Sequence, residues 1–116
     1  MSSNRTVVVS KDADVLAAAV AARLLTRLVD AQAVRGRASV VLTGGGVGIA
    51  SLAAVRASAA RAAVDWRRVS VWWGDERYVP AADDERNEKQ AREALLDGLD
   101  LDPARVHPMP ASDGPD

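Results

Sequence analysis

Ala38-Ser39-Val40-Val41-Leu42-Thr43-Gly44-Gly45-Gly46-Val47-Gly48 is the stretch that decides how the chain is read. Its first half is a short, apolar, β-branched run, the pattern of a strand covered on both faces. Its second half sets four glycines into five positions and gives way to the helical-looking run from Ile49 to Ala63. Backbone bared in this way lets a ligand come close. A glycine turn feeding a helix also aims free N–H groups outward at the positive end of the helix dipole, which suits phosphate or carboxylate. No Gly-Lys-Ser/Thr follows, so the stretch is not a P-loop, and Gly46-Val47-Gly48-Ile49-Ala50-Ser51 matches a dinucleotide fingerprint only at its start. The bland alternative is a tight strand-to-helix turn, which needs fewer than four glycines.

Upstream, Thr6 to Ser10 reads as a first strand. Ser10 or Asp12 then caps a helix running to about Arg35, with Gly36 as its stop. Leu16, Val20, Leu24 and Leu28 form an i, i+4 ridge on it, flanked by Val15 and Leu25, with Arg23, Arg27 and Asp30 turned away. Downstream, the second helix carries Ile49, Leu52 and Val55 inward, with Arg56 and Arg61 outward. Asp65 to Arg68 is a link. Val69 to Trp73 is the next strand, with Val69, Val71 and Trp73 on one side, and it stops at Gly74-Asp75-Glu76-Arg77. A third helix begins near Asn87, presents Ala91, Ala94, Leu95 and Leu99, and ends around Gly98 and Pro103. The proline-rich tail from Val106 offers no fourth buried strand, and no internal repeat is visible. The βαβ succession gives an α/β class: a parallel sheet with helices on both faces and a right-handed crossover. Three short strands leave two bare edges, so the expectation is an incomplete domain.

Charge and composition narrow the function. The 116 residues carry 15 basic and 16 acidic side chains, with no basic block suited to a nucleic-acid or membrane-surface partner. The absence of cysteine removes disulfides, thiolate metal sites and thiol nucleophiles, and fits the reducing cytoplasm expected as the location. No apolar run approaches the ~20 residues of a membrane span, and Val7-Val8-Val9 is too short for a signal core. The alanine-rich, phenylalanine-free composition points to helices packed closely on a valine-rich sheet.

Ligands of open parallel sheets sit beyond the carboxyl ends of the strands. Thr43 to Gly48 and Gly74 to Arg77 therefore belong to one rim. Arg77 offers the bidentate fork that matches phosphate; alternatively Asp75 or Glu76 neutralises it in an internal salt bridge that shapes the loop. The two adjacent carboxylates have no histidine or third acid beside them, so no metal is expected. Asn87 with Gln90 three residues on resembles a capping box, which is compatible with ligand contact as well. His107, the one histidine, is either a proton carrier or a structural loop residue, with no evident orienting acid. Trp66, Trp72 and Trp73 read as core and sheet-face fillers.

Taken in order, Leu42-Thr43-Gly44-Gly45-Gly46, Asp65-Trp66, Trp73-Gly74-Asp75-Glu76-Arg77-Tyr78-Val79-Pro80, Asn87, Ala91-Arg92-Glu93-Ala94-Leu95-Leu96 and Val106-His107-Pro108-Met109 resemble the 6-phosphogluconolactonase family, over about Val7 to Met109. The resemblance implies an α/β fold shared with glucosamine-6-phosphate deaminase, ribose-5-phosphate isomerase and CoA transferases. It implies cofactor-free hydrolysis of 6-phospho-D-glucono-1,5-lactone to 6-phospho-D-gluconate in the oxidative pentose phosphate pathway. In that picture Thr43, Gly44, Gly45 and Gly46 form the substrate loop, Asp75 is the active-site acid, Arg77 holds the phosphate and Asn87 contacts the substrate. Two departures stand out: Gly46-Val47-Gly48 where many members have Ser-Thr-Pro, and Arg86 where a serine usually precedes the asparagine. The family's general base is a histidine in a Gly-x-Gly-His-Thr-like loop well downstream, and His107 matches a different position. Residues 1–116 are accordingly expected to be a single amino-terminal portion of such a domain, with the carboxyl-terminal half as its partner. Two alternatives are a non-catalytic sugar-phosphate-binding module, and isomerisation or deamination on the same fold.

Overall fold

Five apolar or small residues in extended conformation make β1 (Ala38–Leu42), which pairs in parallel with β2 (Val69–Trp73) from Ala38 opposite Val69 to Leu42 opposite Trp73. The computed structural model describes the backbone of residues 3–114 and the side chains of residues 12–114. The Gly74 N–H donates to the Leu42 carbonyl at 2.9 Å, so the pairing runs on into the loop. On the other side of β2 lies β3 (Val106–His107), also parallel, with Val71 opposite Val106 and Trp72 opposite His107. The sheet order is β1-β2-β3. Side chains alternate across it as the period of two demands. Ala38, Leu42, Val69, Val71 and Trp73 are buried, while Val41 and Trp72 on the opposite face are 62% and 45% exposed.

Three helices, α1 (Ser3–Arg35), α2 (Gly46–Ala57) and α3 (Asn87–Ala94), supply the rest of the core. Ala21, Leu25 and Leu28 from α1 and Leu52 and Val55 from α2 join one cluster with the sheet, as do Ala91, Leu95 and Leu96 in and after α3. The parallel α/β class expected from the sequence holds, but not the covering of both faces: the helices share one core with one face of the sheet, and Val41 and Trp72 on the other are exposed. No helix of the described residues is long and apolar enough to cross a membrane.

α3 ends at Ala94 rather than near Gly98 and Pro103, because Leu95 leaves helical geometry for a 3₁₀ turn over Leu96–Gly98, and Ser10 and Asp12 lie inside α1 rather than capping it. Beyond these helix ends, the elements differ from the sequence reading at four main places. First, the strand expected at Thr6 to Ser10 falls within α1, and its side chains lie outside the described residues. No glycine or proline separates it from the alanine- and leucine-rich run that follows, so nothing stops a helix from propagating through it. Second, the expected ridge of α1 holds only in its second half: Leu25 and Leu28 are buried and Leu24 packs against the core, but upstream the buried stripe is Ala17 and Ala21, while Val15, Leu16 and Val20 are 68%, 50% and 40% exposed. α1 packs along α2, and small side chains at 17 and 21 let the two axes come close, which larger ones would prevent.

Third, α2 stops at Ala57, because Ser58 turns extended and its hydroxyl accepts the Ala60 N–H at 3.2 Å, starting a separate 3₁₀ turn over Ala59–Ala63. Fourth, the tail does supply a strand, β3. Its two residues are too few for any periodicity to show, with Pro103 and Pro108 close on either side. His107 stacks on Trp72 there, ring centroids 3.9 Å apart at 18°. That gives His107 the structural one of its two readings. Trp73 fills the core, Trp66 packs against it and Trp72 lies on the opposite sheet face, as the reading of core and sheet-face residues expected.

Candidate functional site

The β1–α2 turn is held open by glycine for reasons that differ along it. Gly45 has φ +86° and is the N-cap of α2, with no side chain capping that terminus; a left-handed residue at this point costs glycine little. A Cβ on Gly44 would lie 2.3 Å from the Asn87 Oδ1, and one on Gly48 would lie 2.9 Å from the Thr43 carbonyl oxygen. Gly46 differs: nothing stands within 4 Å of where its Cβ would be, and its φ is not positive. Three of the four glycines thus have a reason inside the chain, and Gly46 alone has none.

The β2–α3 loop is organised by a buried acid. The Glu76 carboxylate, 2% exposed, accepts the backbone N–H groups of Arg77 at 2.8 Å, Asn87 at 2.7 Å and Glu88 at 2.8 Å. Those last two are the first turn of α3, so a side chain from the start of the loop that leads into this helix caps it at the positive end of its dipole. The capping box expected of Asn87 and Gln90 does not form. Arg86 is the N-cap, and the Gln90 amide instead donates to the Asp84 carbonyl at 2.7 Å.

Arg86 is 1% exposed and sits 3.7 Å from Glu76. Its guanidinium donates to the Arg77 and Pro110 carbonyls at 3.3 Å each, to the Met109 carbonyl, and to Glu88 Oε1 at 3.0 Å. Glu88 in turn accepts from Arg92 Nε at 2.9 Å. One residue therefore ties together the rim loop, the start of α3 and the tail. Outside this cluster, the Lys89 ammonium, hydrogen-bonded at 2.7 Å to Asp84, holds that carboxyl below its ordinary range.

Asn87 is consequently fixed and 6% exposed, with its side-chain amide donating to the Asp75 carbonyl at 3.4 Å while its carbonyl end abuts Gly44. Both loops meet at that contact. A cleft of about 530 Å³ opens beside it, lined by Thr43, Gly44, Gly45, Gly74, Asp75, Glu76, Arg77 and Asn87. Of the residues singled out from the sequence, Thr43, Gly44, Gly45, Asp75, Arg77 and Asn87 share this cleft. Gly46 does not; it lines the neighbouring apolar groove of about 620 Å³ with Val20, Leu24, Val40, Val41 and Val47. His107 lines neither.

Arg77 pairs with Glu85 at 2.7 Å, both side chains largely in solvent at 56% and 70% exposure. The internal salt bridge is thus real, made with Glu85 rather than with Asp75 or Glu76. An ion pair so exposed is worth roughly 0–1 kcal/mol, which leaves the guanidinium free to exchange partners. Asp75 is exposed on the cleft wall. Among the described residues, no group of three His, Cys, Asp or Glu side chains stands close enough to hold a metal ion. The sequence reading missed Glu76 as a helix cap and Arg86 as a buried tie. Both lie in a charged stretch that resembles a solvated loop.

Residues 11–116 match the family model for glucosamine-6-phosphate isomerases/6-phosphogluconolactonase. The chain is 58% identical to the 6-phosphogluconolactonase of Streptomyces coelicolor over 115 residues, 99% of this chain and 44% of that protein. It is 53% identical to that of Mycobacterium tuberculosis over 103 residues, 89% of this chain and 41% of the relative. Among solved structures it is similar to a 6-phosphogluconolactonase from Shewanella baltica, with TM-score 0.68 and 27% identity, covering 86% of this chain and 42% of that one. The Thermotoga maritima 6-phosphogluconolactonase shares its fold, with TM-score 0.70 at 23% identity over 78% of this chain and 40% of the other. The chain spans less than half the length of the relatives it matches.

Proposed function

This chain belongs to the glucosamine-6-phosphate isomerase/6-phosphogluconolactonase family, and on that premise we propose that it carries the substrate-holding rim of a 6-phosphogluconolactonase acting in the cytoplasm. The reaction is hydrolysis of 6-phospho-D-glucono-1,5-lactone: water adds to the lactone carbonyl, the ring C–O ester bond breaks, and 6-phospho-D-gluconate leaves with its carboxylate and a freed hydroxyl. Arg77 takes the phosphate in a bidentate grip, releasing Glu85. Thr43, Gly44 and Gly45 face the sugar, Asn87 offers its amide to a hydroxyl, and Asp75 is the acid beside the reacting end.

The observation that carries this reading is the meeting of Asn87 with Gly44 and with the Asp75 carbonyl, which draws both loops around one cleft with Arg77 at its edge. The general base belongs outside these residues, since His107 is occupied against Trp72. The partner on this reading is the remaining half of the domain, covering the apolar groove beside Gly46 and completing the site.

Lactone hydrolysis followed by proton release tests the proposal. The chain alone is expected to stay near the spontaneous rate, and addition of the carboxyl-terminal half of a relative is expected to raise it. Full activity from this chain by itself overturns the placement of the base. Calorimetric titration with 6-phosphogluconate, lost in Arg77→Ala, tests the phosphate grip. Binding that never leads to turnover, even with the second half supplied, favours a sugar-phosphate-binding module instead.

A further inference from the structure

Four arginines from distant parts of the chain, Arg35, Arg37, Arg68 and Arg105, line one cavity of about 310 Å³ together with Gly36. The topology explains the convergence. Arg37, Arg68 and Arg105 each stand immediately before a strand, at the entries to β1, β2 and β3, and Arg35 closes α1. The strands are parallel and adjacent, so their three entries lie along one edge of the sheet, opposite the rim that carries the glycine loop.

Two of these side chains are partly neutralised. Arg68 Nε lies 3.5 Å from Asp65, and its Nη1 donates to the Gly36 carbonyl at 3.4 Å. Arg105 Nε lies 3.7 Å from Asp102. Neither Arg35 nor Arg37 has an ion pair among the described residues. Four guanidinium groups against the two carboxylates of Asp65 and Asp102 leave two positive charges in one concavity. Complementing the carbonyl end of the α1 dipole accounts for Arg35. It does not account for an arginine at every strand entry. A concave wall of one sign of charge concentrates counter-ions, and planar guanidinium forks match a phosphoryl group bidentately.

We propose that this cavity is a second anion site, taking the doubly charged phosphoryl group of a small molecule at the end of the sheet away from the rim. It stands independently of the sugar-phosphate reading of the first cleft, because none of its lining residues belongs to that cleft.

The test titrates inorganic phosphate into the Arg77→Gln chain, in which the rim is disabled, while arginine Nε–H resonances are followed by NMR. Saturable shifts at Arg37, Arg68 and Arg105, with a dissociation constant on the order of millimolar, are expected, weakening as salt rises. The double substitution Arg37→Gln/Arg105→Gln should weaken binding at least about tenfold, since each lost charged hydrogen bond is worth that much. The exposed Arg23→Gln should leave it unchanged. Shifts that stay linear without saturating, spread equally over all arginines, or survive the double substitution overturn the proposal.

Discussion

Arg86 and Glu76 show how much of the rim rests on two buried side chains. Removing both charges from water costs several kcal/mol per ion, which a single contact at 3.7 Å does not return. The three N–H groups on Glu76, and Glu88 with the carbonyls around Arg86, make up the difference. Arg86→Met should therefore strand the Glu76 charge and lower stability by about 3–5 kcal/mol in urea unfolding. Adding Glu76→Gln to it should cost much less than the two single losses together, because the residues act as one unit. Nothing in Glu85-Arg86-Asn87-Glu88 announces this; a charged tetrad looks solvated until a distant acid is found beneath it. At the glycine loop, Gly46→Ala occupies empty space on the first turn of α2 and should raise stability by up to about 1 kcal/mol. Its cost should appear only as weaker association with the carboxyl-terminal half of a relative, measured by calorimetry, because Gly46 lines the groove that half is proposed to cover. Gly44→Ala, which collides with Asn87, should lose stability and binding together.

Elements were legible in proportion to their length and to the size of the residues that pack. β1, β2 and the start of α3 announce themselves through β-branched runs and turn residues, whereas β3 has two residues and no pattern. α1 was legible as a helix but not in its facing. Leucine ranks above alanine on any hydropathy scale, yet burial falls on Ala17 and Ala21 and leaves Leu16 and Val20 partly in solvent. The two faces make separable predictions. Leu25→Ala, at 3% exposure, should cost about 2–5 kcal/mol, while Leu16→Ala, half in solvent, should cost under about 1 kcal/mol. Equal losses in denaturant titrations would restore the original ridge. Capping was misread for a related reason: the sequence offers Asn87 and Gln90 at the right spacing, but the Asn87 N–H is held by Glu76 and the Gln90 N–H donates to the Arg86 carbonyl.

At the scale of the whole molecule, the two ends of the parallel sheet carry different chemistry, and its uncovered face carries neither. The rim was foreseeable from strand direction alone, because loops following parallel strands share an edge. The arginine cavity was not, since its strand-entry members Arg37, Arg68 and Arg105 lie far apart in sequence and meet only once the three strands align. Between the ends, the row Val41, Trp72 and His107 runs across the exposed face, and the groove of Val20, Leu24 and Val40 adjoins it. A contiguous apolar surface of this kind marks a place where something packs. The chain spans 44% of its Streptomyces coelicolor relative, which supplies a candidate for that something. Adding the carboxyl-terminal half of that relative should move tryptophan emission to shorter wavelength. The shift should vanish in Trp72→Phe and persist in Trp66→Phe, because Trp66 is already packed against the core. Val41→Lys, at the centre of the row, should weaken the association at least about tenfold by burying an unpaired charge. A shift that survives Trp72→Phe would mean the second half docks elsewhere, and the open face would then need a different occupant.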